Sequence, residues 1–62
     1  MVDMGVLVGS VRRFGLEGPV YEVIGVAGQG AAGEQQMRIV VVESGEELDY
    51  SLEELLADPS ED

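Results

Sequence analysis

The chain has 62 residues and a formal net charge of −10 at pH 7, with three Arg residues and no Lys, His or Cys. A chain this short forms a single small domain, and without cysteine it has no disulfide, zinc finger or thiol nucleophile. The negative charge disfavours nucleic acids and anionic membranes as partners and favours basic proteins.

Positive and negative side chains are segregated along the chain. Arg12, Arg13 and Arg38 precede a stretch, residues 43–62, that carries nine carboxylates and no Arg or Lys. Hydrophobic residues make up 45% of the chain, which argues against complete disorder. We therefore expect a folded domain whose C-terminal half is strongly acidic.

The first half of the chain predicts a β-hairpin. Residues 5–14 and 19–27 are rich in Val, Leu, Ile and aromatic side chains, and Gly-Leu-Glu-Gly at 15–18 is a turn of hairpin length. In the second of these strands Tyr21 and Val23 share one face. Gly25 marks a position where a β-bulge can form.

Residues 28–33 match the dinucleotide-binding pattern G-x-G-x-x-G. That pattern requires a helix that begins at the loop and presents its amides to pyrophosphate. Here Glu34 and the following glutamines continue directly into a predicted strand. We therefore interpret residues 28–35 as a mobile hairpin loop and predict no cofactor.

The second half predicts another hairpin and then one helix. Residues 36–43 alternate as a strand, Ser44-Gly45 offers a tight turn, and residues 46–50 form the last strand. Ser51 begins the helix, because its hydroxyl can accept from the backbone of Glu54 three residues later.

The predicted fold is mainly β, with two antiparallel hairpins that form a small curled sheet or an SH3-like barrel, and one short C-terminal helix. Residues 1–57 constitute the domain, and residues 58–62 an acidic flexible tail. Exposed strand edges in so small a sheet favour strand addition by a partner or association into a homo-oligomer.

Four carboxylates around the predicted Ser44-Gly45 turn are the candidate protein-binding residues: Glu43, Glu46, Glu47 and Asp49. They lack the alternating oxygen ligands and the ordered Gly of a calcium loop, so we predict no metal site. No structural need accounts for so many carboxylates at one turn. Complementary charge would select a basic partner protein.

A secondary candidate patch combines the basic residues with an aromatic one: Arg12, Arg13, Arg38 and Tyr21. Such a patch could bind a carboxylate, a phosphate or a base. Strand alternation places Arg12 and Arg13 on opposite faces, and ion pairs with Glu17, Glu22 or Glu43 are the favoured interpretation. The overall negative field makes nucleic-acid binding unfavourable.

Catalysis and membrane insertion are both disfavoured by the composition. With no His, Cys or Lys, the usual general bases are missing, and the serines have no base to activate them. We therefore predict no catalytic residues and no enzymatic activity. No apolar run is long enough to span a membrane or to form a secretory signal.

Three segments carry a resemblance to a known family. Residues 9–15 (with R-x-F-G), 18–25 (G-P-V-Y-E-V-x-G) and 43–50 (with G-E-E-L-D-Y) resemble a family of very short bacterial proteins of unknown function. The resemblance covers most of residues 9–59, apart from the Gly/Ala loop. It implies a bacterial cytoplasmic protein and nothing catalytic.

The leading functional hypothesis is a non-enzymatic interaction module, such as an antitoxin, inhibitor or regulator, that docks on a basic partner protein. The first alternative is a self-assembling structural protein that uses its strand edges. The second is a weak nucleic-acid binder that uses the three arginines.

Overall fold

The computed structural model describes residues 4–61. Within this range the chain forms four strands and two short helices, in the order α1 (Met4–Leu7), β1 (Val11–Arg13), β2 (Val20–Gln29), β3 (Gln35–Val41), β4 (Glu47–Ser51) and α2 (Leu52–Ala57). The predicted mainly β class, with antiparallel hairpins and a short C-terminal helix, is confirmed.

The four strands form one antiparallel sheet in which each strand pairs with the next, in the order β1-β2-β3-β4. β1 and β4 therefore lie at opposite edges, and the sheet is uncurled. The expected curl, or closure into an SH3-like barrel, is absent from the described part of the chain. Closure would require β1 to reach β4, but β1 has three residues and its outer edge pairs with the C-terminal segment instead.

The first predicted strand, residues 5–14, is wrong in its first half, which contains helix α1. The helix ends at Leu7, whose carbonyl accepts hydrogen bonds from the backbone N–H and the Oγ of Ser10, at 3.0 and 2.6 Å. Met4 and Leu7 pack against the core. A helical turn places both of these side chains on the core, and this packing overrides the strand propensity of the valines.

The β2–β3 hairpin carries the longest pairing in the sheet. Its register shifts between Val23 and Gly25, where the sequence predicted a bulge, and again between Val26 and Gly28. Pairing continues to Gln29 opposite Gln35, so the connection is shorter than the predicted loop over residues 28–35. The dinucleotide-like glycines therefore lie in a hairpin, and the mobility of this loop stays a prediction.

The core lies on one face of the sheet. It consists of five fully buried side chains contributed by β2, β3 and α2: Tyr21, Val23, Met37, Ile39 and Leu55. Partly buried side chains pack around them, including Phe14, which follows β1, and Tyr50 on β4. The other face of the sheet is left to solvent, so the outward residues of the strands are available for contacts with other molecules.

Helix α2 begins where the sequence predicted. Ser51 is its N-cap, and the Ser51 Oγ accepts a hydrogen bond from the backbone N–H of Glu54 at 3.4 Å. The two glutamates in the first turn lie near the positive end of the helix dipole. Leu55 is buried against the sheet, whereas Leu56 is 43% exposed.

The segment predicted as an acidic flexible tail, residues 58–62, is instead hydrogen-bonded to the domain as far as residue 61. The Arg13 amide donates to the Pro59 carbonyl at 3.1 Å, and the Glu61 amide donates to the Val11 carbonyl at 2.9 Å. Ser60 forms an antiparallel bridge with Arg12 between these two bonds. The C-terminal segment thus continues the sheet beyond β1, while Asp62 lies outside the described residues.

Candidate functional site

The four predicted protein-binding residues lie around the β3–β4 turn and on β4. The turn is closed by the Gly45 amide, which donates to the Val41 carbonyl at 2.7 Å, while the Val41 amide donates to the Glu46 carbonyl at 2.8 Å. Gly45 has a φ of 75°, the left-handed conformation that glycine adopts without steric cost. The turn therefore contains Ser44-Gly45 as predicted, but β3 ends at Val41 rather than at Glu43, so the connection is longer than these two residues.

All four carboxylates of this turn are exposed, and we call them the acidic turn surface: Glu43, Glu46, Glu47 and Asp49. Only Asp49 has a cationic partner among the described residues. Its Oδ1 lies 3.0 Å from Nε of Arg38, the residue directly opposite it on β3. Because both side chains are nearly half exposed, the pair contributes little to stability, but it lowers the negative charge at one end of the surface.

The other two arginines also make internal contacts, although with partners that the sequence did not predict. Arg13 pairs with Glu61 at 2.9 Å and donates to the Gly18 carbonyl at 3.0 Å. The predicted partners were Glu17, Glu22 and Glu43, and none of them forms an ion pair in the described range. The reason is the C-terminal segment, which brings Glu61 alongside β1.

Arg12 lies on the core face, opposite Tyr21 on β2. Its Nη1 donates to the carbonyls of Leu55 and Asp58 at the end of helix α2, at 3.3 and 3.1 Å. Its Nε is buried and has no hydrogen-bond partner in this structure. Arg12 therefore holds the end of the helix on the sheet.

The secondary candidate patch is not assembled by the fold. Tyr21 is fully buried, and Arg12 faces the core beside it. Arg13 lies on the opposite face of β1, as strand alternation predicted, and β2 separates it from Arg38 on β3. The four residues therefore do not share one surface.

A second cluster of polar groups surrounds Asp58, a residue of the predicted tail. One carboxylate oxygen of Asp58, Oδ2, accepts hydrogen bonds from the hydroxyls of Tyr21 at 2.7 Å and Tyr50 at 2.9 Å. The other, Oδ1, accepts from the Gly15 amide at 3.1 Å. Phe14 packs against both tyrosine rings, with centroids 4.4 and 5.2 Å away. We call Tyr21, Tyr50 and Asp58 the tyrosine–aspartate cluster.

Burial and hydrogen bonding oppose one another at Asp58. Burial raises the pKa of its carboxyl group, but the bonds from Tyr21, Gly15 and Tyr50 stabilise the carboxylate and leave the pKa below its usual value. Burial and the neighbouring carboxylate both disfavour tyrosinate, which raises the pKa of Tyr21 and raises that of Tyr50 to about 12. The cluster is therefore built for an ionised aspartate and two neutral tyrosines.

These shifts predict how stability depends on pH. The Asp58 contribution is fully present above about pH 4, the pKa of Asp in an unfolded chain, and is lost as pH falls through the lower folded-state pKa. The tyrosine contribution is fully present below about pH 10 and is lost as pH rises toward 12. Both limits should appear in the free energy of unfolding measured across pH.

Tyrosinate absorbance and circular dichroism, recorded together, check the alkaline limit. We expect the tyrosinate signal to appear only as the folded signal is lost, above pH 10. Complete ionisation of both tyrosines near pH 10 with a native dichroism spectrum would contradict the prediction. Asp58→Asn keeps the size of the side chain but removes its charge. In this variant the free energy of unfolding should depend less on pH at the acid end.

A sequence model of a family of unknown function, DUF5397, matches residues 2–62. The chain belongs to the DUF5397 family. A comparison with curated proteins found no match. The family resemblance seen in the three short segments therefore extends over nearly the whole chain.

Two of those segments carry the structural cluster of this DUF5397 chain. Tyr21 lies in residues 18–25 and Tyr50 in residues 43–50, and Asp58 joins them from the C-terminal segment. Asp58 was not among the predicted site residues, because a carboxylate just before Pro59 in an acidic stretch resembles a solvated one. The available signal was the placement of Tyr21 on the apolar face of β2, where its hydroxyl requires a partner.

A shallow groove lies between the start of α2 and the β2–β3 loop in this DUF5397 chain. Its volume is about 320 Å³, and it is lined by Glu34, Gln35, Ser51, Leu52, Glu53 and Leu56. Within residues 4–61, no three His, Cys, Asp or Glu side chains are arranged to hold a metal ion. No helix in that range has the length and hydrophobicity needed to cross a membrane.

Proposed function

We propose that the chain is a non-enzymatic interaction module that binds a basic partner protein through the acidic turn surface, as an antitoxin, inhibitor or regulator would. The observation that supports this is which groups the three arginines contact. Arg12 and Arg13 bind groups at the C-terminal end, and Arg38 forms an ion pair only with Asp49 among residues 4–61. Glu43, Glu46 and Glu47 are therefore exposed and have no cationic partner within the described part of the chain.

Uncompensated carboxylates on a small protein act chiefly on association. A net charge of −10 attracts a basic protein over distances comparable to the Debye length, about 10 Å at moderate salt, and orients it toward the most acidic surface. Complementary charge of this kind raises the association rate and excludes acidic partners. We also infer a reducing, cytoplasmic setting, which a cysteine-free chain suits.

Charge reversal tests the proposal with a matched control. The variant Glu46→Lys/Glu47→Lys changes the acidic turn surface, and Glu17→Lys/Glu53→Lys makes the same charge change at exposed sites on the β1–β2 turn and on α2. Immobilised protein would be exposed to a lysate of its host, and bound proteins identified. We expect a basic partner to be retained by the control and lost from the Glu46/Glu47 variant.

Equal retention by both variants would reject the acidic turn surface as the binding site. Circular dichroism should first show that both variants are folded, since Glu53 lies in the first turn of α2 and its replacement costs about 0.3–1 kcal/mol. Loss from both variants to the same degree would mean that net charge alone, rather than this surface, determines binding.

Self-assembly is the second candidate function, and the exposed edge of β4 is the observation that favours it. Open strand edges pair readily with edges of other molecules. Sedimentation over a range of concentrations tests it directly. A monomer at all concentrations removes this candidate, and a dimer or larger assembly supports it.

A further inference from the structure

The sheet has two edges, and residues 4–61 cover only one of them. At β1 the C-terminal segment bonds to the outward backbone groups, through the Arg13 amide to Pro59 and the Glu61 amide to Val11. At the opposite edge, β4 pairs with β3 alone within the described residues. The fold thus blocks one edge against association and leaves the other open.

The hydrogen-bond pattern fixes which groups of β4 face outward. The Val41 amide donates to the Glu46 carbonyl across the turn. Hydrogen-bonded pairs alternate with non-hydrogen-bonded pairs along an antiparallel ladder, so the backbone groups of Leu48 and Tyr50 face β3. The backbone N–H and C=O groups of Glu47 and Asp49 therefore point away from the sheet. Both residues are exposed, so these groups are accessible to another strand.

We propose that the β4 edge binds an extended segment of a basic partner protein by strand addition, with Lys or Arg at alternate positions beside Glu47 and Asp49. The inference rests on the proposed function and specifies how the partner is held. Backbone bonds to the edge hold the segment, and facing side chains on adjacent strands lie about 5 Å apart, close enough for opposite charges to select it.

Charge also argues against a second copy of this chain as the occupant. Two β4 edges that pair antiparallel about a two-fold axis would place Glu47 and Asp49 of one copy against the same residues of the other. Like charges directly opposite on neighbouring strands destabilise the pair. Arg38 compensates Asp49 only within its own chain, so Glu47 remains unpaired in such a dimer.

A short peptide of alternating Lys and Val with blocked ends provides a probe. We expect it to bind the full chain and to slow amide hydrogen exchange at Glu47 and Asp49. The matched control peptide has the same sequence but is N-methylated at alternate residues, which removes the donors that would face β4. The control peptide should bind at least about tenfold more weakly, because the backbone bonds are lost.

Two substitutions at one position separate backbone from charge. Glu47→Pro removes the outward N–H at the first residue of an edge strand, where proline is tolerated, and Glu47→Gln removes the charge but keeps that N–H. Affinity for the Lys/Val peptide should fall by about tenfold in the Pro variant beyond the loss in the Gln variant.

The outcomes distinguish this inference from the proposed function. Strand addition is overturned if the two peptides bind with equal affinity and the Glu47→Pro and Glu47→Gln variants also bind with equal affinity. In that case, loss of binding in Glu46→Lys/Glu47→Lys would still support an acidic interface. Binding that is unchanged in Glu46→Lys/Glu47→Lys overturns both. Amide protection at Asp49 that grows with protein concentration without peptide would assign the edge to a second copy and overturn the inference.

Discussion

Asp58→Ala is expected to lower the free energy of unfolding by about 3 kcal/mol. The substitution removes the acceptor for the hydroxyls of Tyr21 and Tyr50, both of which lie among apolar side chains. Hydrogen bonds to charged groups contribute about 1.5–3 kcal/mol each, and the partial exposure of Asp58 favours the lower value. Since small domains have total stabilities near 5 kcal/mol, most of the folded state would be lost at elevated temperature.

Urea unfolding followed by circular dichroism measures this change. Glu61→Ala is the control, because Glu61 is another carboxylate of the same segment but pairs with Arg13 at the surface, with about a third of its side chain exposed. Its removal should cost far less stability, because exposed ion pairs contribute little to the free energy of unfolding. If the two variants lost equal stability, the tyrosine–aspartate cluster would not be the anchor that its geometry indicates.

A double-mutant cycle assigns the loss to the hydrogen bonds themselves. Tyr21→Phe should destabilise the parent protein, because it leaves Asp58 with one fewer donor. In the Asp58→Ala background the same change should cost less or even stabilise the protein, since the buried hydroxyl has no acceptor there. Strictly additive effects would show that the two groups do not interact.

The strands were predictable where alternation and turn chemistry agree. β3 has Met37 and Ile39 on one face and Arg38 on the other, and the structure buries the first two and exposes the third. Ser44-Gly45 has the left-handed glycine that its hairpin requires. These features depend on neighbours in sequence, which is the information that a single chain contains.

The predictions that were wrong concern segments whose structure depends on contacts between residues distant in sequence. The valines near the N-terminus favour a strand locally, yet helix α1 forms because Met4 and Leu7 can then reach the core. The C-terminal segment is acidic and resembles a solvated tail, but its backbone completes the β1 edge and Asp58 receives two hydroxyls. No local pattern indicates either contact, because each one requires the sheet to be present first.

The candidate site also has features that the sequence predicts and features that depend on distant contacts. The acidic turn surface could be identified from composition alone, and the structure brings its four residues to one turn and one edge strand. The openness of that edge could not be read from the sequence. The β4 edge is open because the C-terminal segment covers the β1 edge instead. It does so through the hydrogen bond from the Arg13 amide and the bridge between Arg12 and Ser60.

Leu55→Ala is expected to lower the free energy of unfolding by about 3 kcal/mol, within the range of about 2–5 kcal/mol for such truncations in cores. Leu55 is the only residue of α2 that is fully buried. A helix of six residues is not stable alone, so its position depends on this contact. Leu56→Ala is the matched control, because it makes the same chemical change at a side chain that is 43% exposed.

The control should lose less than about 1 kcal/mol, and equal losses in the two variants would contradict the docking of α2 through Leu55. The effects of Leu55→Ala and Asp58→Ala should also be less than additive. Arg12 binds the carbonyls of both residues, so releasing the helix also frees Asp58 from the tyrosines. Once one anchor is lost, the other has less native structure left to stabilise.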